Sequence, residues 1–157
     1  MQSTFKYIRI QILTFLFDTC LAFYSKHFKR NRKAWDITKN ELIRFPKETL
    51  GYELAIFLRE NNFNLMPKLE NHDCFHIITN YPAQVKDEIA LQYLCLGNGE
   101  RSLSSLLVIL SGTILLPEYF NYYVNSFRKG KKYKPFYHLE YQNLLHQNIN
   151  SIKNSLK

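Results

Sequence analysis

Apolar residues in this chain recur in long runs at helical spacing, and strict alternation is scarce, so the pattern asks for helices rather than strands. Glycine and proline number five each in 157 residues, which leaves little material for long loops. A hydrophobic share of 46% with 15% aromatics argues against disorder. The length suits one domain with a real core and not two. The expectation is an all-α, single-domain bundle of about seven helices over residues 1–157.

Breakers and caps divide the pattern. A first helix covers roughly residues 4 to 28 and ends in the basic "KHFKRNRK". A second starts near Thr38, where "TKNE" matches a capping box with Glu41, and stops before Pro46. The third is "TLGYELAIFLREN", with Leu50, Leu54, Phe57 and Leu58 on one face; "MPKLEN" connects it to the fourth, "HDCFHIIT", which "NYP" ends. The fifth, "QVKDEIALQYLCL", is closed by "GNG". The sixth, "SLSSLLVILSGTILL", is apolar on nearly all sides and reads as a buried central helix. Its alternative is one wall of a lipid-tail tunnel, with Ser111, Gly112 and Thr113 leaving room for a chain. The seventh starts at Pro117 and runs to the basic "RKGKK", and the tail holds one or two more helical pieces.

The formal net charge is +8, which favours anionic partners without choosing among nucleic acid, acidic protein and lipid headgroups. Cys20, Cys74 and Cys95 have no C-x-x-C spacing; each reads as a small core residue in a reducing compartment. Asp18 interrupts the apolar N-terminal stretch and no small-residue cleavage site follows, so that stretch reads as part of the fold and not as a signal peptide. No apolar run reaches the roughly 18 residues a membrane span needs.

The residues with the most chemistry lie in "ENHDCFHIITNYPAQVKDEIALQ". On an ideal helix His72, His76 and Asp73 stand at about 0°, 40° and 100° around the axis, so one face offers all three. Two imidazoles four residues apart are how a helix presents itself to a metal ion. Pro82 makes the next helix an antiparallel neighbour and returns Glu88 opposite that face. Glu88 shares its own face with Val85, Leu91 and Cys95, where a carboxylate needs a partner. A divalent ion would be one: two nitrogen and two oxygen ligands suit zinc best, with iron or manganese open. The spacing leaves a plainer reading open as well, with the histidines as surface or core decoration, Asp73 as a cap or salt-bridge partner, and Glu88 in a solvated charge run with Lys86 and Asp87.

"HDCFH", eleven residues, then Glu88 resembles the H-D-x-x-H-x11-E signature of the ubiquinone (coenzyme Q) biosynthesis protein 4 family. "FPKETLGYELAIFLRENNF" resembles that family's "LP-x-G-T-x-G" helix start, and the segments after the signature follow in the family's order, so the likeness covers about residues 38–155. It departs where the family's glycine is Glu48, and where "MPKLEN" replaces an arginine-rich approach. The resemblance implies an all-helical fold with a metal held by His72, Asp73, His76 and Glu88 on a helix hairpin. It implies a protein acting at a membrane on polyprenylated aromatic rings, either as a scaffold for other quinone-biosynthesis enzymes or in oxidative decarboxylation that replaces the C1 carboxylate with hydroxyl. Glu88, furthest in sequence from the other ligands, is the candidate for a movable, catalytic one. The phosphohydrolase family named for its His-Asp pair is a poor match, because it needs further ligands elsewhere in the chain.

"EYFNYYVNSFRKGKKYKPFYHLEY" interleaves aromatics with Arg128, Lys129, Lys131, Lys132 and Lys134. Anionic headgroups fit this segment, with about 1 kcal/mol per basic residue near a charged leaflet. A basic helix end complementing its dipole fits equally well. Nucleic acid is disfavoured, since no recognisable nucleic-acid module accompanies the segment. "KHFKRNRK" could share the same surface. The expected location is cytoplasmic, peripheral to the inner or plasma membrane, and a homodimer is one expectation for the assembly. His27, His138 and His146 have no local partners and read as surface residues.

Overall fold

Short polar side chains ahead of apolar runs start several of the helices. The computed structural model describes residues 4–15 and 34–157. Over them the regular structure is helical: α1 (residues 4–15), α2 (Lys39–Leu42), α3 (Leu50–Glu60), α4 (Glu70–Thr79), α5 (Val85–Asn98), α6 (Leu103–Leu115), α7 (Phe120–Gly130) and α8 (Ile149–Ser155). The far end of the expected first helix, Cys20, His27 and "KHFKRNRK" lie outside the described residues.

The expected capping box forms: the Glu41 amide donates to Thr38 Oγ1 (3.3 Å) and the Thr38 amide donates to Glu41 Oε2 (2.7 Å). Thr49, Ser102 and Asn148 cap α3, α6 and α8 without the reciprocal bond, each side chain accepting from a backbone amide of the first turn. Asn80 (φ 58°) ends α4 and Gly99 (φ 112°) ends α5 in left-handed conformations. Three boundaries differ from expectation. The fifth helix runs on through Gly97 and Asn98 of the expected "GNG" stop, and only Gly99 ends it. The seventh helix is divided, because Pro117 opens a single 3-10 turn, Pro117–Tyr119, ahead of α7. The start of α4 reaches back to Glu70, inside the expected connector.

The chain gathers into two compact units, each interleaving separate stretches: Met1–Arg30 with Pro82–Tyr133, and Asn31–Tyr81 with Lys134–Lys157. In the first unit α5 packs on α7 and α6. The α5–α7 approach depends on absent side chains. A Cβ at Gly97 would strike the Phe127 carbonyl, and one at Gly130 the Leu94 carbonyl. Gly112 of α6 receives the Ile89 side chain, and Tyr93 of α5 shares a hydrogen bond with Thr113 Oγ1 (2.8 Å). α1 is tied to the 3-10 turn by Arg9–Glu118 (3.0 Å) and by Lys6 Nζ donating to the Tyr119 hydroxyl (2.7 Å).

α6 is not the buried central helix expected. It buries Ser105, Val108 and Gly112, while Leu103, Leu106, Leu107, Leu110 and Ile114 are exposed, the last two by 60% and 68%. The reason is that α6 turns small residues to α5 for a close approach, which leaves its large apolar side chains on the other side. Among the described residues no single helix is long and apolar enough to cross a membrane; α6 with Pro117–Gly130 passes only as a pair bent by 104°.

In the second unit, the start of α3 is clasped by the segment before α8. The Leu50 amide donates to the Gln147 carbonyl (3.0 Å), the Gly51 amide to Leu145 (2.9 Å) and the Ile149 amide to Glu48 (2.8 Å). Leu50, Leu54 and Leu58 of α3 are buried as the periodicity requires. Phe75 of α4 meets Phe136 and Tyr141 edge-on at 5.4 and 5.7 Å.

Glu48, standing where the resembling family has glycine, has φ 64°, a conformation that costs a residue with a Cβ. Replacing it should therefore release strain: Glu48→Gly is expected to raise stability by about 1 kcal/mol, less any loss from the longer-leashed unfolded chain. Equilibrium urea unfolding checks this, and an unchanged midpoint contradicts it.

Candidate metal centre

The site begins with the way α4 stops. Asn80 turns left-handed, and the His76 carbonyl accepts from the amides of both Asn80 and Tyr81, the latter at 3.1 Å. That fold-back brings the Tyr81 carbonyl to 3.1 Å from His76 Nδ1. A carbonyl can only accept, so Nδ1 carries the proton, and in the neutral ring the lone pair sits on Nε2.

The i, i+4 spacing does what it predicts. The rings of His72 and His76 lie 5.1 Å apart, nearly perpendicular at 89°. His76 is buried, 4% exposed, and Phe57 of α3 stacks on it at 5.1 Å. His72 is half-buried and meets Phe75 edge-on. Asp73 is on the same helix and half-buried. Cys74, inside the motif, is fully buried, and that burial, aided by the charges of Asp73 and Glu70, pushes its thiol well up. It packs in the core, as its helical position implies.

Glu88 belongs to the other unit, in the first turn of α5. It is half-buried, and Gln92 Nε2, one helical turn on, donates to its Oε1 at 2.9 Å. Its neighbour Asp87 is buried and accepts from the Tyr122 hydroxyl (2.7 Å), so Asp87 is a packed structural carboxylate and not part of a solvated charge run. His138 and His146 are exposed, as expected; His146 lies against Phe45 with ring centroids 4.5 Å apart.

The sequence reasoning missed Gln92 and the Tyr81 carbonyl. Gln92 had a signal, its i+4 spacing from Glu88. A backbone carbonyl has none.

Among the described residues the regular structure is helical, with two histidines on one face of α4 and, in the first turn of α5, a glutamate that accepts from an amide. The family Coenzyme Q (ubiquinone) biosynthesis protein Coq4 matches residues 66–157, more than half of the chain, with all four signature residues inside the match. The chain belongs to this family. The match starts later than the expected region of about 38–155. No curated protein matches the chain. A crystal structure of a protein from Nostoc punctiforme PCC 73102, named for ubiquinone biosynthesis, superposes with a TM-score of 0.66 at 17% identity, covering 97% of this chain and 80% of that one. At that identity it shows a shared fold.

Burial makes a direct prediction for the thiols. In a Cys20→Ser protein, Cys74 and Cys95, both buried, should react with a soluble thiol reagent no faster than the chain opens. Labelling followed by mass spectrometry checks this; rapid native labelling of Cys74 contradicts its packing role.

Proposed function

We propose that this Coq4-family protein works in quinone biosynthesis as a divalent-metal protein that binds a polyprenylated aromatic precursor at a membrane surface. The proposed ligands are His72, His76 and Glu88, residues whose donor atoms suit one ion. Asp73 is the fourth residue of the family signature. The observation that carries the reading is the His72–His76 pair on one face of α4, within the matched family segment, with His76 protonated on Nδ1. A lone pair on a buried imidazole, together with a second imidazole a turn away, fits a divalent ion. Zinc suits the donor set best, with iron or manganese accommodated by the same residues. Such an ion would supply a Lewis acid for the ring carboxylate in an oxidative decarboxylation in which the carboxylate leaves as CO2 and dioxygen, the oxidant, supplies the hydroxyl oxygen, and Glu88 is the residue to move during it.

The lipid part of the reading is supported by α6. Its row of exposed Leu103, Leu106, Leu107, Leu110 and Ile114 carries no charge, and a contiguous exposed apolar face marks an interaction site. The proposed location is cytoplasmic, peripheral to the inner or plasma membrane, with this apolar face on the lipid. Arg128, Lys129, Lys131 and Lys132 at the end of α7 are exposed and suited to anionic headgroups. Lys134 Nζ donates to the Ser155 carbonyl at the end of α8 (3.1 Å). The same α6 face favours a second reading, a non-catalytic protein that presents the lipid to other quinone-biosynthesis enzymes and keeps a structural metal.

Conversion of prenylated hydroxybenzoate by the metal-loaded protein and by His76→Ala separates the two. The enzyme reading expects turnover that falls to background in His76→Ala. Lipid binding by both without turnover by either gives the case to the presenting role. For the surface, Leu110→Glu should lower partitioning onto anionic vesicles by about tenfold, the order expected for losing one buried leucine. Co-sedimentation with wild-type affinity removes α6 from the contact.

A further inference from the structure

Resting on the metal reading above, we infer that the donor atoms are preset before any ion binds, and that Gln92 is a positioning residue acting through Glu88. A ring or carboxylate that must rotate to meet an ion loses affinity, so ligands are ordinarily held by a second set of hydrogen bonds. Both parts are present within the units that carry them. The Tyr81 carbonyl takes the Nδ1 proton of His76 at 3.1 Å and commits Nε2 to the ion. Phe57, stacked on the same ring with planes 23° apart, blocks its rotation. In α5 the Gln92 amide donates to Glu88 Oε1 at 2.9 Å. Oε1 is thereby partly neutralised, and Oε2 is the stronger donor.

Gln92 is placed to do this and little else. It is 7% exposed on a helix whose neighbouring buried positions are Ile89, Ala90, Leu91, Leu94 and Cys95. A polar amide in such company needs a reason, since burying it costs free energy unless it is bonded. The bond it makes is to a carboxylate, which is stronger than one between neutral groups. Methionine fills nearly the same volume and donates nothing, so Gln92→Met removes the bond while keeping the packing.

The experiment measures zinc affinity by competition with a chelating dye, for wild type, Gln92→Met, Glu88→Gln and the double variant, with the thermal midpoint of each metal-free protein alongside. Gln92→Met should bind zinc about tenfold more weakly, the usual loss for an outer partner of a ligand. Its metal-free midpoint should stay unchanged. In the Glu88→Gln background the same substitution should have no further effect. An equal loss in both backgrounds, or none in either, overturns the role of Gln92. If Gln92→Met does not fold, Gln92→Asn takes its place; its amide falls one methylene short, and undiminished affinity overturns the role. Separately, ring-nitrogen NMR of the metal-free protein should find His76 protonated on Nδ1, and protonation on Nε2 overturns the preset ring. His76→Ala keeps the two readings apart. Zinc binding by wild type that His76→Ala loses and Gln92→Met retains sinks this inference alone, whereas no zinc binding by wild type sinks the metal reading with it.

Discussion

His76 closes the turn that ends its own helix. Its carbonyl accepts from Asn80 and Tyr81, and its ring donates back to the Tyr81 carbonyl, so one residue holds the end of α4 through both its backbone and its side chain. The geometry of the proposed ligand and the termination of α4 are therefore one constraint. A left-handed Asn80 is tolerated because asparagine is among the few side-chain-bearing residues that adopt that conformation readily. Phe57 then seals the ring from the α3 side. The packing that stabilises this unit and the chemistry offered by the imidazole cannot be varied independently.

The first unit is organised by a different economy, the removal of side chains. Gly97 and Gly130 let the backbones of α5 and α7 touch, and Gly112 lets α6 settle over Ile89. Each close approach spends a small residue on the inside and so moves large residues to the outside. The exposed leucines of α6 follow from that exchange, because a helix that is apolar all round must show something apolar to whatever lies beyond it.

Much of this was legible. Thr38 with Glu41, the glycine after α5 and the His72–His76 spacing each name a local geometry that depends on a few neighbouring residues, and each was found where expected. The signature HDCFH-x11-E led to the family that the match at 66–157 then showed. What was hidden depends on the partner and not on the segment. Periodicity says nothing about which side of "SLSSLLVILSGTILL" is covered, since every side is apolar. "GNG" marked a helix end, but only the proximity of Phe127 explains why Gly97 stays inside the helix and Gly99 turns. Gln92 reads as an ordinary polar helix residue until its 2.9 Å bond to Glu88 is known.

The clasp between the start of α3 and the segment before α8 has a temporal side. Leu50, Gly51 and Glu48 find their backbone partners at Gln147, Leu145 and Ile149, roughly a hundred residues later in the chain. As the polypeptide is synthesised, α5, α6 and α7 are complete well before those partners exist. The second unit must therefore wait with the head of α3 unpaired until residue 149 has emerged. Its histidine-bearing helix packs on both α3 and α8, so its own contacts too are complete only then.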